Sequence, residues 1–307
     1  MADNKLAQIT AFKGMLNAES VQAQFKNALG KHSDTFTASM VELYSSDPAL
    51  AKCAPQLVIK ECLKAATLQL PINKALGFSY VVVYNNNVKD EKTGQWVSTP
   101  TPTFITGYKG LIQLAMRTGQ YRTINADVVF EGEMRKGNKL PGEIFLDGEK
   151  TSDKIVGYFA HFELLNGFSK TLFMTVEEMA SYAKKYSPSV GRNVTVDELI
   201  KKANANGAER KMVGWMGNFT DMALKTCMRR LLGKYGYLSV EMQGAMAEEA
   251  SAEDSAMDNR DKLQQGAATQ VVNFDEAEVV DEQTAEVVEP EQPKQAPQAP
   301  QQARPAF

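Results

Sequence analysis

Several residue types on which secreted and catalytic proteins depend are scarce in this 307-residue chain. It has three cysteines, Cys53, Cys62 and Cys227, and their odd number and spacing exclude a disulfide framework and a cysteine zinc site. No apolar run approaches the roughly 20 residues that cross a bilayer, and the polar N-terminus MADNKLAQ lacks the apolar segment of a signal peptide. We therefore expect a cytoplasmic protein with reduced thiols and no membrane partner.

Motifs for covalent and nucleotide-dependent catalysis are also missing. The two histidines, His32 and His161, have no HExxH or nucleophile-elbow sequence around them. The nearest match to a phosphate-binding loop, DGEKTS from Asp147, lacks the adjacent Gly-Lys pair and a following apolar helix. We expect no ATP use, no cofactor and no catalytic residue.

One acidic cluster is the remaining candidate for a metal site. Its carboxylates are Glu131, Glu133, Glu143 and Asp147, on either side of the segment KGNKLPG. A metal-dependent nuclease needs two or three acids around one ion. Basic residues lie among these acids, as is typical of a charged, solvated loop. We expect no metal here, and a metal-dependent nuclease stays an alternative.

Charge is distributed unevenly along the chain, although the net charge is only −3. Residues 241–307 carry fifteen acidic and four basic side chains, a net charge of −11. Residues 1–240 carry 30 basic and 22 acidic side chains, a net charge of +8. A basic body with an acidic tail is a hint of polyanion binding, although a solvated surface also explains a modest positive excess.

Apolar periodicity predicts an α+β fold. Helical spacing runs from Met1 to about Leu70, with Ser33 as a possible cap and Pro48 and Pro55 in first-turn positions. The strand candidates are GFSYVVVY from Gly77, WVSTPTPTFIT, ADVVFEGE, EIFLD, IVGYFAHFELL and FSKTLFMT. The first two form a hairpin whose second strand is kept at an edge by its prolines, and Asn166-Gly167 is a strong hairpin turn between the last two.

Helices are expected over residues 107–118 and over residues 218–236. Two further helices should begin at capping boxes. The boxes pair Thr175 with Glu178 and Thr195 with Glu198. The resulting order of helices, hairpin, helix, small antiparallel sheet and helices is α+β and not a βαβ repeat.

Three regions follow from these patterns: a helical region over 1–70, a core over 71–240 and a tail over 241–307. The tail is rich in Ala, Glu, Asp, Gln and Pro, which cannot bury enough apolar surface to fold, so we expect it to be disordered. The apolar residues Phe25, Leu29, Phe36 and Met40 of the first region suit a subunit contact or the chain's own core.

Basic stripes are the strongest functional signal. On a helical wheel Lys109, Gln113 and Arg117 fall within about 80° of each other. The glycines at the start of this helix would let a phosphate approach the backbone. Lys225 and Arg229 share one face of the final helix, while Arg230 and Lys234 form a second cationic edge. Phosphate contact and an ordinary solvated surface both explain such stripes.

Two aromatic residues lie close to these cations. For Trp215, core packing among Met212, Met216 and Phe219 is favoured over base stacking, and Tyr121 is equally ambiguous. Further cations precede the tryptophan: Lys201, Lys202, Arg210 and Lys211.

Three separated motifs resemble the RecT recombinases of phages and prophages. These are GYKGLIQLAMRTGQY with INADVVFEGE, then GYFAHFEL, then WMGNFTDMALKTCMRRLL from Trp215. The similarity covers most of residues 40–240 and is closest to RecT proteins of Listeria-type phages of Gram-positive bacteria.

The resemblance implies an ATP-independent single-strand annealing protein with a Redβ-like fold. Such proteins assemble into rings or helical filaments, bind single-stranded DNA in a basic groove and hold the annealed duplex intermediate. A phage exonuclease and a host single-strand-binding protein are the partner candidates, and a general nucleic-acid chaperone is a further alternative. The implied DNA-binding residues are Lys109, Gln113, Arg117 and Tyr121 in the first motif and Trp215, Lys225, Thr226 and Arg229 in the last; Lys201, Lys202, Arg210 and Lys211 join them by charge and proximity.

Overall fold

The computed structural model describes residues 2–89, 96–135, 137–138, 144–187, 189–205 and 214–247. All of them belong to one compact unit, Met1–Thr269. The predicted disordered tail beyond residue 247 lies outside the described residues, as do the predicted site residues Arg210 and Lys211.

Four helices form the N-terminal region. They are α1 (Ala2–Leu16), α2 (Glu19–Leu29), α3 (Ser33–Ser46) and α4 (Pro55–Thr67), with 3-10 turns at Gly30–His32 and Leu50–Lys52. Pro55 occupies the first turn of α4, as predicted. Pro48 does not begin an α-helix, because the Asp47 side chain accepts a hydrogen bond from the Ala49 amide and forms a local turn instead.

The apolar residues of these helices belong to the chain's own core. Phe25 and Met40 have no exposed surface and Phe36 is 9% exposed. The ring of Phe12 stacks on that of Tyr44 with centroids 4.1 Å apart. Phe25, Phe36 and Met40 therefore pack within the chain, and Leu29 is partly buried beside them. A subunit contact by this region stays a prediction.

A two-stranded antiparallel hairpin follows, formed by β1 (Ser79–Lys89) and β2 (Trp96–Thr106). Val83 pairs with Pro102 and Asn85 with Pro100. Because β2 has only β1 as its neighbour, its prolines occupy an edge strand, as predicted. The Phe104 amide donates to a Glu61 carboxylate oxygen at 2.8 Å, which attaches β2 to α4.

A three-stranded antiparallel sheet of order β3–β4–β5 forms the centre of the protein. Its strands are β3 (Tyr121–Phe130), β4 (Ile155–Leu164) and β5 (Ser169–Thr175). Alternate residues of β4, from Tyr158 to Leu164, are buried, which is the period-2 pattern that predicted the strand. Gly167, with φ +85°, makes the predicted turn between β4 and β5.

The strand predicted at EIFLD is wrong in the part of it that the structure describes. Phe145 makes only an isolated bridge to Arg135. The Arg135 guanidinium pairs with Asp147, so charged side chains hold this connection without a continuous strand ladder.

Three helices complete the fold: α6 (Val176–Tyr186), α7 (Val196–Ala203) and α8 (Phe219–Tyr235), with a 3-10 turn at Gly214–Met216. Both predicted capping boxes are present at the starts of α6 and α7. Residues 240–247 are also helical, and Met242 is fully buried. The packed chain therefore continues past residue 241, where we expected the disordered tail to begin.

The described elements therefore form the predicted α+β fold, with helices packed on two small antiparallel sheets. One hydrophobic core connects the N-terminal helices, both sheets and α8. No described helix is long and apolar enough to cross a membrane.

Helix α5 (Tyr108–Arg117) joins the hairpin to this sheet, and its start requires glycine. A Cβ on Gly107 would lie 2.2 Å from the Gly77 carbonyl oxygen, and one on Gly110 would lie 2.2 Å from the Phe78 carbonyl oxygen. The Gly107 amide also donates to the Phe78 carbonyl at 2.9 Å. At these glycines the space of a side chain is therefore filled by the chain's own backbone. The sequence had suggested that a phosphate would approach there.

We expect Gly110→Ala to lower the free energy of unfolding by about 1–3 kcal/mol, because the added methyl group would push α5 away from Phe78. The matched control is Gly14→Ala in α1, where an added Cβ meets nothing within 4 Å. This control should raise the free energy of unfolding by up to about 1 kcal/mol through helix propensity. Urea titration measures both changes, and effects of the same sign would contradict the close contact.

Candidate nucleic-acid interface

A groove of ≈ 720 Å³ lies between the hairpin, the start of α5, the end of α7 and the start of α8. We call it the lysine groove. Its charged lining residues are four lysines and one acid: Lys74, Lys109, Lys202, Lys225 and Asp221. Three of these lysines were predicted as DNA-binding residues, and they come from three different helices. A concave surface with this charge balance concentrates anions.

Three lysines of the groove are held in place by contacts within the protein. The aliphatic stem of Lys109 lies over Gly77, with its Cδ 3.4 Å from the position of a Cβ there. Lys74 pairs with Asp47 at 2.5 Å. Lys225 is only 7% exposed, so its stem is packed in the protein while its residue still lines the groove. Folding thus positions cations that lie far apart in the sequence.

Tyrosines give the groove an aromatic component. Tyr80 and Tyr84 face it from β1 and Tyr108 from the first turn of α5. Burial raises the pKa of the Tyr80 and Tyr108 phenols, and the negative charge of Asp221 raises both further. The Asp221 carboxylate therefore lies close to both phenols, which stay protonated hydrogen-bond donors at neutral pH. Aromatic faces and cations together suit a polyanion that also carries rings.

The predicted stripe on α5 lies on one surface, but only Lys109 reaches the groove. Lys109, Gln113 and Arg117 line a shallow apolar depression with Phe78, Ile112 and Met116. The Gln113 Oε1 atom is buried and has no hydrogen-bond partner among the described residues.

Arg117 has a structural role that the sequence did not indicate. Its guanidinium donates to the Leu68 carbonyl at 2.7 Å and to the Gln69 carbonyl at 2.9 Å. These carbonyls follow the end of α4, where Gln69 adopts a left-handed conformation with φ +51° and Leu70 donates back to Ala65. Arg117 therefore holds α5 against the end of α4 with two of its five N–H donors. Phosphate contact by Arg117 stays a prediction.

Two other predicted residues, Trp215 and Thr226, are packed inside the protein. Trp215 is 2% exposed and packs edge-on against Phe219 with ring centroids 5.1 Å apart, so core packing is the alternative that the structure bears out. Thr226 is 9% exposed and donates to the Met222 carbonyl at 2.8 Å. Tertiary packing therefore uses both side chains, and a DNA contact by Thr226 stays a prediction.

Tyr121 anchors the segment that follows α8. Its hydroxyl donates to the Tyr237 carbonyl at 2.8 Å, and its ring meets Phe162 edge-on. Burial raises the pKa of this phenol to about 12, so it stays protonated and donates this hydrogen bond at neutral pH. Stacking of Tyr121 on a base stays a prediction.

Two further predicted cations of the described residues, Lys201 and Arg229, lie outside the groove. Lys201 is exposed but does not line it. Arg229 lines a different depression, with Arg230 and Lys234. The structure thus separates α8 cations that the helical wheel had placed together, because the groove ends near Lys225.

The acids of the alternative metal site have other partners. Glu133 accepts from the Phe130 amide at 2.7 Å, Glu131 accepts from the Ser152 hydroxyl at 2.8 Å, and Asp147 pairs with Arg135. Glu143 lies outside the described residues. In the described part of the chain, no three His, Cys, Asp or Glu side chains converge on a common point.

The cysteines and the strand histidine also have structural surroundings. All three cysteines are buried and free, as expected for reduced thiols, and burial raises the pKa of the Cys62 and Cys227 thiols to about 12. His161 pairs through Nδ1 with the Thr171 hydroxyl at 2.8 Å, and burial lowers its pKa. These groups therefore have the surroundings of packed side chains and not of reactive ones.

Sequence reasoning missed five groove residues: Lys74, Tyr80, Tyr84, Tyr108 and Asp221. A signal for two of them was present, since Tyr80, Val82 and Tyr84 alternate along β1 and so share one face. The others required the tertiary structure, because nothing in their local sequence shows that they meet.

The fold and the site define an α+β protein whose lysine groove, with its tyrosines, suits a nucleic-acid strand. Comparison with known proteins supports this class and makes it specific: the chain belongs to the RecT family, whose family model matches residues 34–262. It is similar to the uncharacterized protein YqaK of Bacillus subtilis (strain 168), with 37% identity over 284 residues and 87% of each chain covered. It is also similar to the protein RecT of Escherichia coli (strain K12), with 28% identity over 244 residues, covering 76% of this chain and 77% of that protein. Membership of the family supports a function in recombination and annealing.

We expect Arg117→Lys to lower the free energy of unfolding by about 1 kcal/mol, because an ammonium group cannot reproduce the fork that reaches two carbonyls. The matched control is Arg122→Lys, which alters an exposed ion pair with Glu163 and should change stability by less than about 0.5 kcal/mol. Chemical denaturation measures both variants. Equal changes would contradict the capping role of Arg117.

Proposed function

We propose that the protein is an ATP-independent single-strand DNA annealing protein whose phosphate-binding site is the lysine groove. The observation that supports this most is the convergence of Lys109, Lys202 and Lys225 on one concave surface beside partly buried tyrosines. Family membership supports the annealing class. The protein's contribution is to bind and align a strand, and catalytic chemistry on the DNA is not required.

The size of the phosphate contribution follows from the number of cations. If each of the four lysines neutralises one phosphate, the affinity for a single strand falls about 50-fold between 50 and 200 mM salt. One subunit therefore binds weakly at physiological salt. Neighbouring subunits on one strand raise the effective concentration of further contacts, so annealing requires assembly into a ring or filament.

Complementarity is supplied by the DNA and not by the protein. Each correct stacked step contributes on the order of 1.4 kcal/mol, so a strand held by its phosphates can be tested by a second strand through base pairing alone. The only carboxylate lining the described groove, Asp221, repels phosphates and so favours the exposure of bases at this point. The duplex intermediate then stays bound in the same groove.

The wider setting of this function is also proposed. The annealing core of residues 71–240 would act in the cytoplasm of a bacterial host, next to a phage exonuclease. The acidic tail would dock a partner such as the host single-strand-binding protein or act as a solvated linker. The cations Arg210 and Lys211, which lie outside the described residues, would extend the site beyond the groove.

Annealing should proceed in EDTA and without ATP. When oligonucleotides are added sequentially, the protein should retain the second strand only if it is complementary to the first. Magnesium-dependent degradation that Glu131→Ala or Asp147→Ala abolishes would instead indicate the nuclease alternative. Equal retention of complementary and non-complementary strands, with RNA bound like DNA, would indicate a general nucleic-acid chaperone.

The double variant Lys109→Glu with Lys202→Glu should weaken binding of single strands roughly 20-fold at 100 mM salt, since each lost phosphate contact is worth about fivefold there. The loss should be the same for every sequence. The matched control is Lys154→Glu, whose side chain is 65% exposed and lies outside the groove. Fluorescence anisotropy measures both affinities. Equal losses in the variant and the control would contradict the site.

A further inference from the structure

A second cationic surface lies further along α8, where this helix packs against α6 and residues 240–247. It surrounds a shallow depression of ≈ 510 Å³ lined by Tyr182, Arg229, Arg230 and Lys234, among others, and we call it the α8 basic surface. None of its lining residues lines the lysine groove. The cationic edge of Arg230 and Lys234 that the sequence indicated therefore has no part in the proposed annealing site.

The cations of this surface are held by apolar and aromatic groups. The Arg230 guanidinium lies 5.4 Å from the Tyr182 ring centroid and donates to the Met174 sulfur at 3.1 Å. The Lys234 ammonium lies 5.1 Å from the Tyr235 ring centroid. Both side chains are exposed, and no carboxylate of the described residues forms an ion pair with either. Because like charges one turn apart repel each other, an anionic partner would stabilise this surface.

Residues 240–247 pack beside this surface. Met242 is fully buried, and the Met246 methyl lies 3.3 Å from the position of a Cβ on Gly233, so residues 240–247 are held against α8. The Gln243 side chain also donates to the Leu238 carbonyl at 3.2 Å. Ala247, the last described residue, lines the depression. The sequence that follows therefore begins at the edge of the α8 basic surface.

We propose that residues 248–259 bind the α8 basic surface of their own chain. This segment contains five carboxylates and no lysine or arginine: Glu248, Glu249, Glu253, Asp254 and Asp258. Its attachment at Ala247 gives these acids an effective concentration at the surface in the millimolar range. A segment of this length spans up to about 40 Å when extended, which is enough to cross one face of a domain.

The family match extends over this segment. The matched region, residues 34–262, includes all five carboxylates, while the remainder of the acidic tail lies beyond it. A bound acidic segment would keep phosphates off the α8 basic surface and leave the lysine groove as the accessible cationic site. The proposal does not depend on the annealing function, since it concerns only contacts within the chain.

Carbodiimide cross-linking of the full chain tests the proposal, because this reagent joins an amine to a carboxylate only when the two are in contact. We expect mass spectrometry to identify Lys234 joined to a carboxylate of residues 248–259 at low salt. The product should be lost at 0.5 M salt, where screening acts over about 4 Å. The Lys74–Asp47 pair, at 2.5 Å, is the internal positive control.

Two variants make the result specific. Lys234→Arg keeps the charge but removes the reactive amine, so the cross-link should disappear although the segment still binds. A full-length chain with the five acids changed to Gln or Asn should lose the cross-link and keep the Lys74–Asp47 product.

Three outcomes would overturn the proposal. The first is the absence of any Lys234 product with residues 248–259 while the internal control forms. The second is a product between isotope-labelled and unlabelled chains, which would show that the segment binds a neighbouring copy. The third is photocross-linking of an oligothymidine to Tyr182 or Tyr235 that is equally efficient in the full chain and in the variant without the five acids, which would show that the segment does not cover the surface and would assign the surface to nucleic acid.

Discussion

The first turn of α5 lies directly against the backbone of residues 77–78, and the geometry of the lysine groove depends on this contact. Gly107 and Gly110 allow it, because any Cβ there would overlap a carbonyl oxygen at 2.2 Å. Arg117 holds the other end of the same helix against the end of α4. With both ends fixed, Lys109 and Tyr108 face the start of α8 across the groove, and a small displacement of α5 would separate the cations that the groove brings together.

The cations of helix α8 lie on two different surfaces of the protein. Lys225, near its start, lines the groove, whereas Arg230 and Lys234, near its end, face α6 and residues 240–247. Under the proposed function this division would confine the strand to the lysine groove, where three tyrosines lie and two of them are close to the Asp221 carboxylate. The last described residues, up to Ala247, lie at the other surface, where contacts of Tyr121 with Tyr237 and the burial of Met242 fix their path.

Local patterns predicted most of the fold, because they depend on neighbours in sequence. The capping boxes at Thr175 and Thr195 and the turn at Gly167 form as expected. The site was predictable only in part: Lys109, Lys202 and Lys225 share a groove, but Arg117 caps carbonyls 49 and 48 residues earlier in the chain. An aromatic residue such as Trp215 can stack on a base or pack in the core, and only the burial that tertiary packing gives it decides between these two roles.

Hydrogen–deuterium exchange with and without a single-stranded oligonucleotide tests the central claim most directly. If the lysine groove holds the strand, exchange should slow in residues 79–84 of β1, 105–109 at the start of α5 and 218–225 of α8, and stay unchanged in α1. Protection confined to other elements, with these three segments unaffected while the oligonucleotide is bound, would contradict the account.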